Sequence, residues 1–156
     1  MNVYCHSALH QIEIAIKTII KMMDRLDEID LEFRPTEQKH SIGELLQHIS
    51  FICEADFHII NGATQEEMET FYSQISNQHI EIIKTTLLKN FDSLKTHYIK
   101  LSERELFQEK TSYWGITYTK YEWLLEILAH IYHHRGQLHA MLVHCYRRDP
   151  QVPLFE

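Results

Sequence analysis

Four long segments of this chain carry apolar residues at alternating steps of three and four, the spacing that puts side chains on one face of an α-helix. The first segment shows the pattern at Leu9, Ile12, Ile16, Ile19, Met23 and Leu26. A helix with one apolar face has to bury it against another element, and four such helices bury their faces together in a bundle. The spacing therefore predicts an all-α fold, a four-helix bundle.

Three capping-box sequences predict where helices begin. They lie at 41–44, 64–67 and 119–122, and each has Ser or Thr followed three residues later by Glu. In such a box the hydroxyl and the carboxylate each accept a hydrogen bond from a free backbone N–H of the first turn. We expect bundle helices at about 5–30, 41–60, 77–101 and 119–145.

The segments between the predicted bundle helices differ in character. Residues 31–40 contain Pro35 and many polar side chains, which predicts a connection. Residues 64–75 predict a short helix that carries a crossover between the second and third bundle helices. The aromatic segment 111–118 interrupts the helical pattern. It would form either a plug over one end of the bundle or a lid or pocket wall.

Length and charge restrict the class of protein. The 156 residues are enough for one ordinary domain, which we expect to span 1–156. The formal net charge of -7 opposes binding to a nucleic-acid backbone. No signal peptide and no apolar run of the roughly 18 residues that a membrane span needs is recognisable. Cys5, Cys53 and Cys145 form no CxxC pair, which favours a reducing, cytoplasmic setting.

Histidine is abundant, with twelve in the chain, and two pairs have the spacing His-x-x-x-His. One pair is His6 and His10, and the other is His130 and His134. Two histidines four residues apart on a helix lie on the same face and can reach one ion. At this density about one such pair arises by chance, so the spacing alone does not establish a site.

Helix phasing separates the histidines, since each residue advances about 100° around the axis. On the last helix His134 falls within the buried arc and His130 at its edge, whereas His133 and His139 point away. His48 lies at the corresponding edge of the second helix. These three imidazoles either make hydrogen bonds within the core or converge on an ion between the two helices. Three nitrogen ligands leave a coordination position for water or substrate, as in catalytic sites.

Four neighbouring residues carry further expectations. Asp56 falls inside the buried arc of the second helix, where it holds a ligating histidine, bonds across to another helix or stays partly exposed. Gln137 lies near the ligand face and could support a ligating histidine or orient water or substrate. Gly136 costs a helix about 1 kcal/mol relative to Ala, which suggests close approach by another helix or chain. Arg135 points away from the site, and we expect it to pair with an acid on another helix or on a dimer partner.

The segment 130–137, HIYHHRGQ, together with His48 in the segment 45–49, LLQHI, resembles the DinB/YfiT-like family of metalloenzymes. The resemblance covers almost the whole chain in length and helix order. It implies a bundle of up-down-down-up topology, often dimeric, with a divalent ion such as zinc or nickel. It further implies that His48, His130 and His134 hold the ion.

The family includes thiol transferases that use low-molecular-weight thiols such as bacillithiol or mycothiol, an isomerase, and DNA-damage-inducible members. The leading hypothesis is therefore a cytoplasmic, homodimeric, metal-dependent enzyme of the thiol S-transferase or hydrolase type. Its ion would activate a thiol or water for attack on a small electrophilic substrate. The alternative is a non-catalytic, stress-related metal-binding bundle whose histidines are structural.

Overall fold

The computed structural model describes residues 2–76 and 79–155. Its α-helices are α1 (Val3–Met23), α2 (Ile42–Ile60), α3 (Gln65–Ser73), α4 (Ile80–Lys100), α5 (Glu103–Leu106) and α6 (Lys120–Ala140). A 3₁₀ turn at Glu28–Glu32 follows α1, and a π-helical turn at Met141–Cys145 follows α6. Strands β1 (Glu109–Thr111) and β2 (Thr117–Thr119) pair antiparallel as a small hairpin. The predicted start of the third bundle helix, near Asn77, lies outside the described residues.

Helices α2 and α6 run antiparallel. Early in α2, His48 contacts His134, whereas Asp56, two turns later in α2, meets His130, one turn earlier in α6. The order of the contacts along the two helices is thus reversed, and the candidate site lies between them.

Helices α2 and α4 run parallel. The side-chain amide of Asn90 donates to the backbone carbonyl of Ser50, and the ring of His97 packs edge-on against Phe57 seven residues further along both helices. Parallel neighbours require a crossover, and α3 lies within that connection. The predicted crossover helix is therefore present.

Helix α1 completes the bundle, running parallel to α6 and antiparallel to α4. Tyr132 donates to Gln11, and Arg135 donates to Thr18. The contacts between α1 and α6 therefore advance in the same direction along both helices. The ion pairs between α1 and α4 advance in opposite directions. The up-down-down-up topology and the all-α class are confirmed, with the hairpin a minor addition.

The predicted helix starts follow the capping chemistry. The boxes at Ser41 and Thr64 are reciprocal, with each hydroxyl and each partner glutamate accepting a backbone N–H. The Thr119 hydroxyl accepts from the backbone N–H of Glu122 at the start of α6. Local sequence thus determines where α2, α3 and α6 begin.

Helix α1 ends at Met23, not near Asp30 as its apolar pattern predicted. The cause is a tertiary contact, because the buried Asp30 accepts a hydrogen bond from the Tyr146 hydroxyl at 2.6 Å and pairs with Arg148. Its carboxylate also accepts the backbone N–H of Asp27, which fixes the 3₁₀ turn. A partner more than a hundred residues away cannot be read from helical periodicity.

The phasing of the last helix fails at its C-terminal end. The apolar steps of the last segment run through Leu138 and Leu142 to Cys145 and predict that Cys145 is buried. Cys145 is exposed instead. The π-helical turn Met141–Cys145 has more residues per turn than an α-helix, which rotates Cys145 away from the predicted phase while Leu142 stays buried. In the part of the chain that the structure describes, no helix is long and apolar enough to cross a membrane.

Candidate metal centre

Three histidines from two antiparallel helices direct their Nε2 atoms at one point. The Nε2 of His48 lies 3.1 Å from that of His134 and 3.3 Å from that of His130. All three candidate ligand atoms lie within 4.8 Å of one another. Two nitrogen ligands 2.0–2.1 Å from a tetrahedral zinc ion are about 3.3 Å apart, so these separations suit a single ion.

Two of the rings are held from behind by polar side chains. The Nδ1–H of His134 donates to the Oε1 of Gln137 at 2.8 Å, one turn further along α6. The Nδ1 of His130 lies 3.5 Å from the Oδ2 of Asp56 on α2. Gln137 thus contacts a candidate ligand, in accord with the expectation that it supports a ligating histidine or a substrate. Asp56 combines two of its expected roles, since it reaches across to another helix and is partly exposed.

These outer contacts place the ring protons away from the centre. A proton on Nδ1 of His134, donated to Gln137, leaves its Nε2 as a lone pair, and donation from His130 to Asp56 has the same effect. The Nε2 of His48 carries at most one hydrogen, so it can donate to only one of two inward lone pairs. In the other of its two contacts, with His130 or His134, two nitrogen lone pairs then face each other and repel. A cation at the centre would remove this repulsion by binding both lone pairs.

Burial favours the neutral form of two imidazoles of this cluster, those of His48 and His134. Burial, with the nearby imidazoles His134 and His130, lowers the pKa of His48 to about 4. Burial also lowers the pKa of His134, although its bond to Gln137 opposes the change. A neutral imidazole is the form that binds a metal. The two histidines are therefore in the ligand form at neutral pH.

A cavity of about 420 Å³, which we call the α2 cavity, opens beside the histidines. His48, Asp56 and His130 form one side of it. Apolar residues of α2 and of the crossover form much of the rest, namely Phe51, Ile52, Ala55, Tyr72 and Ile75. Ligand sites are typically concave, mostly apolar and of this size. A small molecule in the α2 cavity would lie against two of the three histidines.

Sequence reasoning missed Gln47, which lines the α2 cavity. Its signal was available as a second stripe on the predicted helix at 41–60, in steps of three and four. The stripe comprises Glu44, Gln47, His48, Phe51, Ile52, Ala55 and Asp56. Gln47 is polar, so the fully apolar arc of that helix does not include it.

The other histidines singled out lie apart from the cluster. His6 and His10 are exposed on α1. His133 is exposed, and its ring packs edge-on against the ring of His134 without joining the three nitrogens. His139 is also outside the cluster.

Arg135 makes no ion pair with an acid in the described part of the chain, contrary to the expected salt bridge to another helix. It is buried, donates to the Thr18 hydroxyl and to the backbone carbonyl of Leu154, and its guanidinium stacks on the Tyr132 ring at 4.2 Å. A backbone carbonyl of the C-terminal tail thus accepts the hydrogen bond that an acid was expected to accept. The helical pattern did not predict this contact.

Gly136 has open space where a side chain would point, since no atom lies within 4 Å of an ideal Cβ. The close approach that its presence suggested is therefore not made by another described helix of this chain. Approach by a second chain stays a prediction.

The aromatic segment 111–118 forms most of the β-hairpin. At its tip Trp114 is half exposed and packs edge-on against Trp123 of α6, as Tyr118 packs on the same ring from the second strand. The described walls of the α2 cavity include no residue of this hairpin. The contacts place it over the first turns of α6.

The fold and the site define a four-helix-bundle protein with three inward-facing histidines between α2 and α6. The chain belongs to the DinB family, whose model matches residues 1–146. A search of curated proteins returns no match to the sequence.

Solved structures share this architecture. A protein assigned to the DinB family from Exiguobacterium sibiricum 255-15 superposes with a TM-score of 0.86 at 27% identity, covering 99% of each chain. A DinB-like protein from Bacillus subtilis, YjoA, gives 0.70 at 16% identity and covers 94% of this chain and 95% of its own. The mycothiol-dependent maleylpyruvate isomerase gives 0.67 at 14% identity, covering 88% of this chain and 63% of its own.

Proposed function

We propose that this protein is a divalent-metal-dependent enzyme that adds a thiol or water to a small electrophilic substrate, as a thiol S-transferase or a hydrolase. His48, His130 and His134 would hold the ion. The observation that carries the proposal is the convergence of three Nε2 atoms beside the α2 cavity. A site that serves only to stabilise the bundle needs no adjoining cavity.

The donor set suits zinc or nickel. Imidazole nitrogen is a good ligand for both ions, whereas magnesium and calcium prefer oxygen ligands. Three protein ligands leave a position open, as catalytic zinc sites do. A bound divalent ion would lower the pKa of a thiol or water molecule at that position and so supply a nucleophile near neutral pH.

The protein's own residues position the reactants. Gln137 and Asp56 hold the rings of His134 and His130 from behind. Such contacts to ligating histidines commonly set ring orientation and ligand basicity. A substrate that lies against the apolar residues of the α2 cavity would displace water there, which would strengthen electrostatic interactions at the site.

A thiol is the favoured nucleophile. The support is the family together with a structural neighbour that is mycothiol-dependent by name. Cys5, Cys53 and Cys145 are all free thiols, which accords with a reducing cytoplasmic compartment. The open surface at Gly136 offers a place for a second chain in a homodimer.

Cobalt substitution tests the proposal against a non-catalytic metal-binding bundle. We expect the visible spectrum of the cobalt-loaded protein to change when 2-mercaptoethanol is added, because an open position admits a thiolate. The zinc- or nickel-loaded protein should also accelerate conjugation of N-acetylcysteine with 1-chloro-2,4-dinitrobenzene. His130→Ala should lose both responses and His139→Ala, on the same helix, should keep them. A spectrum that does not respond to thiol, with no conjugation, would favour the non-catalytic alternative.

A further inference from the structure

The α2 cavity holds an unused polar group. Gln47 is only 8% exposed, and its side-chain amide has no hydrogen-bond partner among the described residues, although its backbone carbonyl accepts from Ser50. The side chain borders the α2 cavity and the cavity adjoining it. Its amide atoms are not among the fully enclosed polar atoms that lack a partner, so they are accessible from the cavity. The amide of Gln47 is therefore a ready anchor for a bound molecule.

The charges beside Gln47 disfavour an anion. Glu44, one turn earlier on α2, lines the same cavity and is bound by both terminal nitrogens of Arg34, at 2.6 and 2.8 Å. Arg34, the backbone N–H of Ser41 and nearby charge lower the pKa of Glu44 to about 2, so its carboxylate is ionised at neutral pH. The guanidinium is thus already committed to Glu44 and is not a free anchor for a second carboxylate.

Asp56 adds a second carboxylate to the lining of the cavity, beside His130. Because Arg34 already balances Glu44, Asp56 is the carboxylate of the metal-free cavity wall that carries an unbalanced negative charge. The described cavity wall contains no Lys or Arg. An uncharged ligand therefore avoids both repulsion by the carboxylates and the desolvation of an unpaired charge.

The remaining wall suits a flat apolar body. Phe51 and Ile52 of α2 and Tyr72 and Ile75 of the crossover all line the same cavity. Aromatic side chains bind planar ligands by offset stacking or edge-to-face contact. The wall leads from Gln47 toward His48 and His130, both of which also line the cavity.

We propose that the α2 cavity binds an uncharged, aromatic or branched apolar compound with one carbonyl or amide group. That group hydrogen-bonds to the Gln47 amide, and the apolar body lies against Phe51 and Tyr72, next to the histidines. This inference names the substrate class of the proposed enzyme, and it rests on that function only for the reaction that follows binding.

Ligand titration followed by protein NMR tests the inference, with benzamide as the neutral probe and benzoate as its anionic counterpart. Benzamide should bind saturably, shift the resonances of α2 and the crossover, and bind at least tenfold more tightly than benzoate. Gln47→Leu should weaken benzamide binding about tenfold, equivalent to about 1.4 kcal/mol. Gln65→Leu, an exposed glutamine on α3, is the matched control and should leave the dissociation constant unchanged.

Equal binding of benzamide and benzoate, or unchanged benzamide binding in a folded Gln47→Leu variant, would overturn the inference. If Gln47→Leu does not fold, Gln47→Glu keeps the size and should weaken benzamide binding by the same factor or more. The titration is run on metal-free and on zinc-loaded protein. If the protein binds benzamide but does not retain metal, the proposed function is contradicted and this inference stands. If the protein retains metal but does not bind benzamide, this inference is contradicted and the proposed function stands.

Discussion

Gln137 accepts a hydrogen bond from the Nδ1 of His134 at 2.8 Å, one helical turn away on α6. The bond fixes both the ring plane and the tautomer of His134, because the proton must be on Nδ1 and the lone pair on Nε2. The Nε2 then points at His48 across the interface between α2 and α6. Within one helix, a spacing of three residues thus prepares a ligand for a site shared with another helix.

Replacing Gln137 by Leu should lower the affinity for zinc about 10–100-fold. The reason is that His134 loses the acceptor that holds its ring and its tautomer. Competition with a chromophoric chelator measures the affinity. Gln65→Leu is the control, and an unchanged zinc affinity in Gln137→Leu would show that the bond has no part in binding.

The stability of the metal-free protein should fall as pH decreases from about 6.5 to about 4. The pKa of His48 is about 4 in the folded protein, against an ordinary value of 6.5, so the unfolded state binds more protons in this interval. The contribution of His48 is therefore complete above pH 6.5 and is lost as pH falls toward 4. Urea unfolding at a series of pH values measures it. His48→Gln should flatten this slope, and a slope equal to that of wild type would contradict the assignment.

Sequence alone accounts for much of the bundle because its determinants are local. The capping boxes at Ser41 and Thr64 and the apolar stripes act over one or two helical turns, and periodicity detects them. Phasing also selects His48, His130 and His134 as inward-facing, which the geometry shows. That they bind a metal stays a prediction.

The features that sequence reasoning missed depend on distant contacts. The end of α1 is set by Asp30 and its bond to Tyr146, and the environment of Arg135 by the returning tail at Leu154. Gln47 lies on a second stripe of α2, but only the packing of the crossover shows that this stripe lines a cavity. Such contacts become visible only when the helices are packed.

Asp30→Asn should destabilise the protein by about 2–3 kcal/mol, because a buried carboxylate with hydrogen bonds from Tyr146 and Arg148 loses its charge. Burial opposes ionisation, but these bonds and the backbone N–H of Asp27 lower the pKa of Asp30 below 3.8. Its stabilisation is therefore present above that pH and lost as pH falls further. Denaturant unfolding at pH 7 measures the loss. The exposed Asp92→Asn is the control, and equal stabilities of the two variants would contradict the prediction.

Arg135→Met should free the C-terminal tail while leaving zinc affinity within about twofold. The variant keeps apolar contact with Tyr132 but removes the bond to the carbonyl of Leu154, and such a bond to a charged group contributes about 1.5–3 kcal/mol. Limited proteolysis detects release of the tail. A tail as resistant as in wild type would show that Arg135 does not hold it.

The central claim is that three histidines form one metal site, and metal content after dialysis tests it most directly. Wild-type protein loaded with zinc should retain one ion per chain by elemental analysis. His48→Ala, His130→Ala and His134→Ala should each retain less than about a tenth of that, while His139→Ala retains a full equivalent. Wild-type protein without stoichiometric metal, or full retention in the three variants, would contradict the claim.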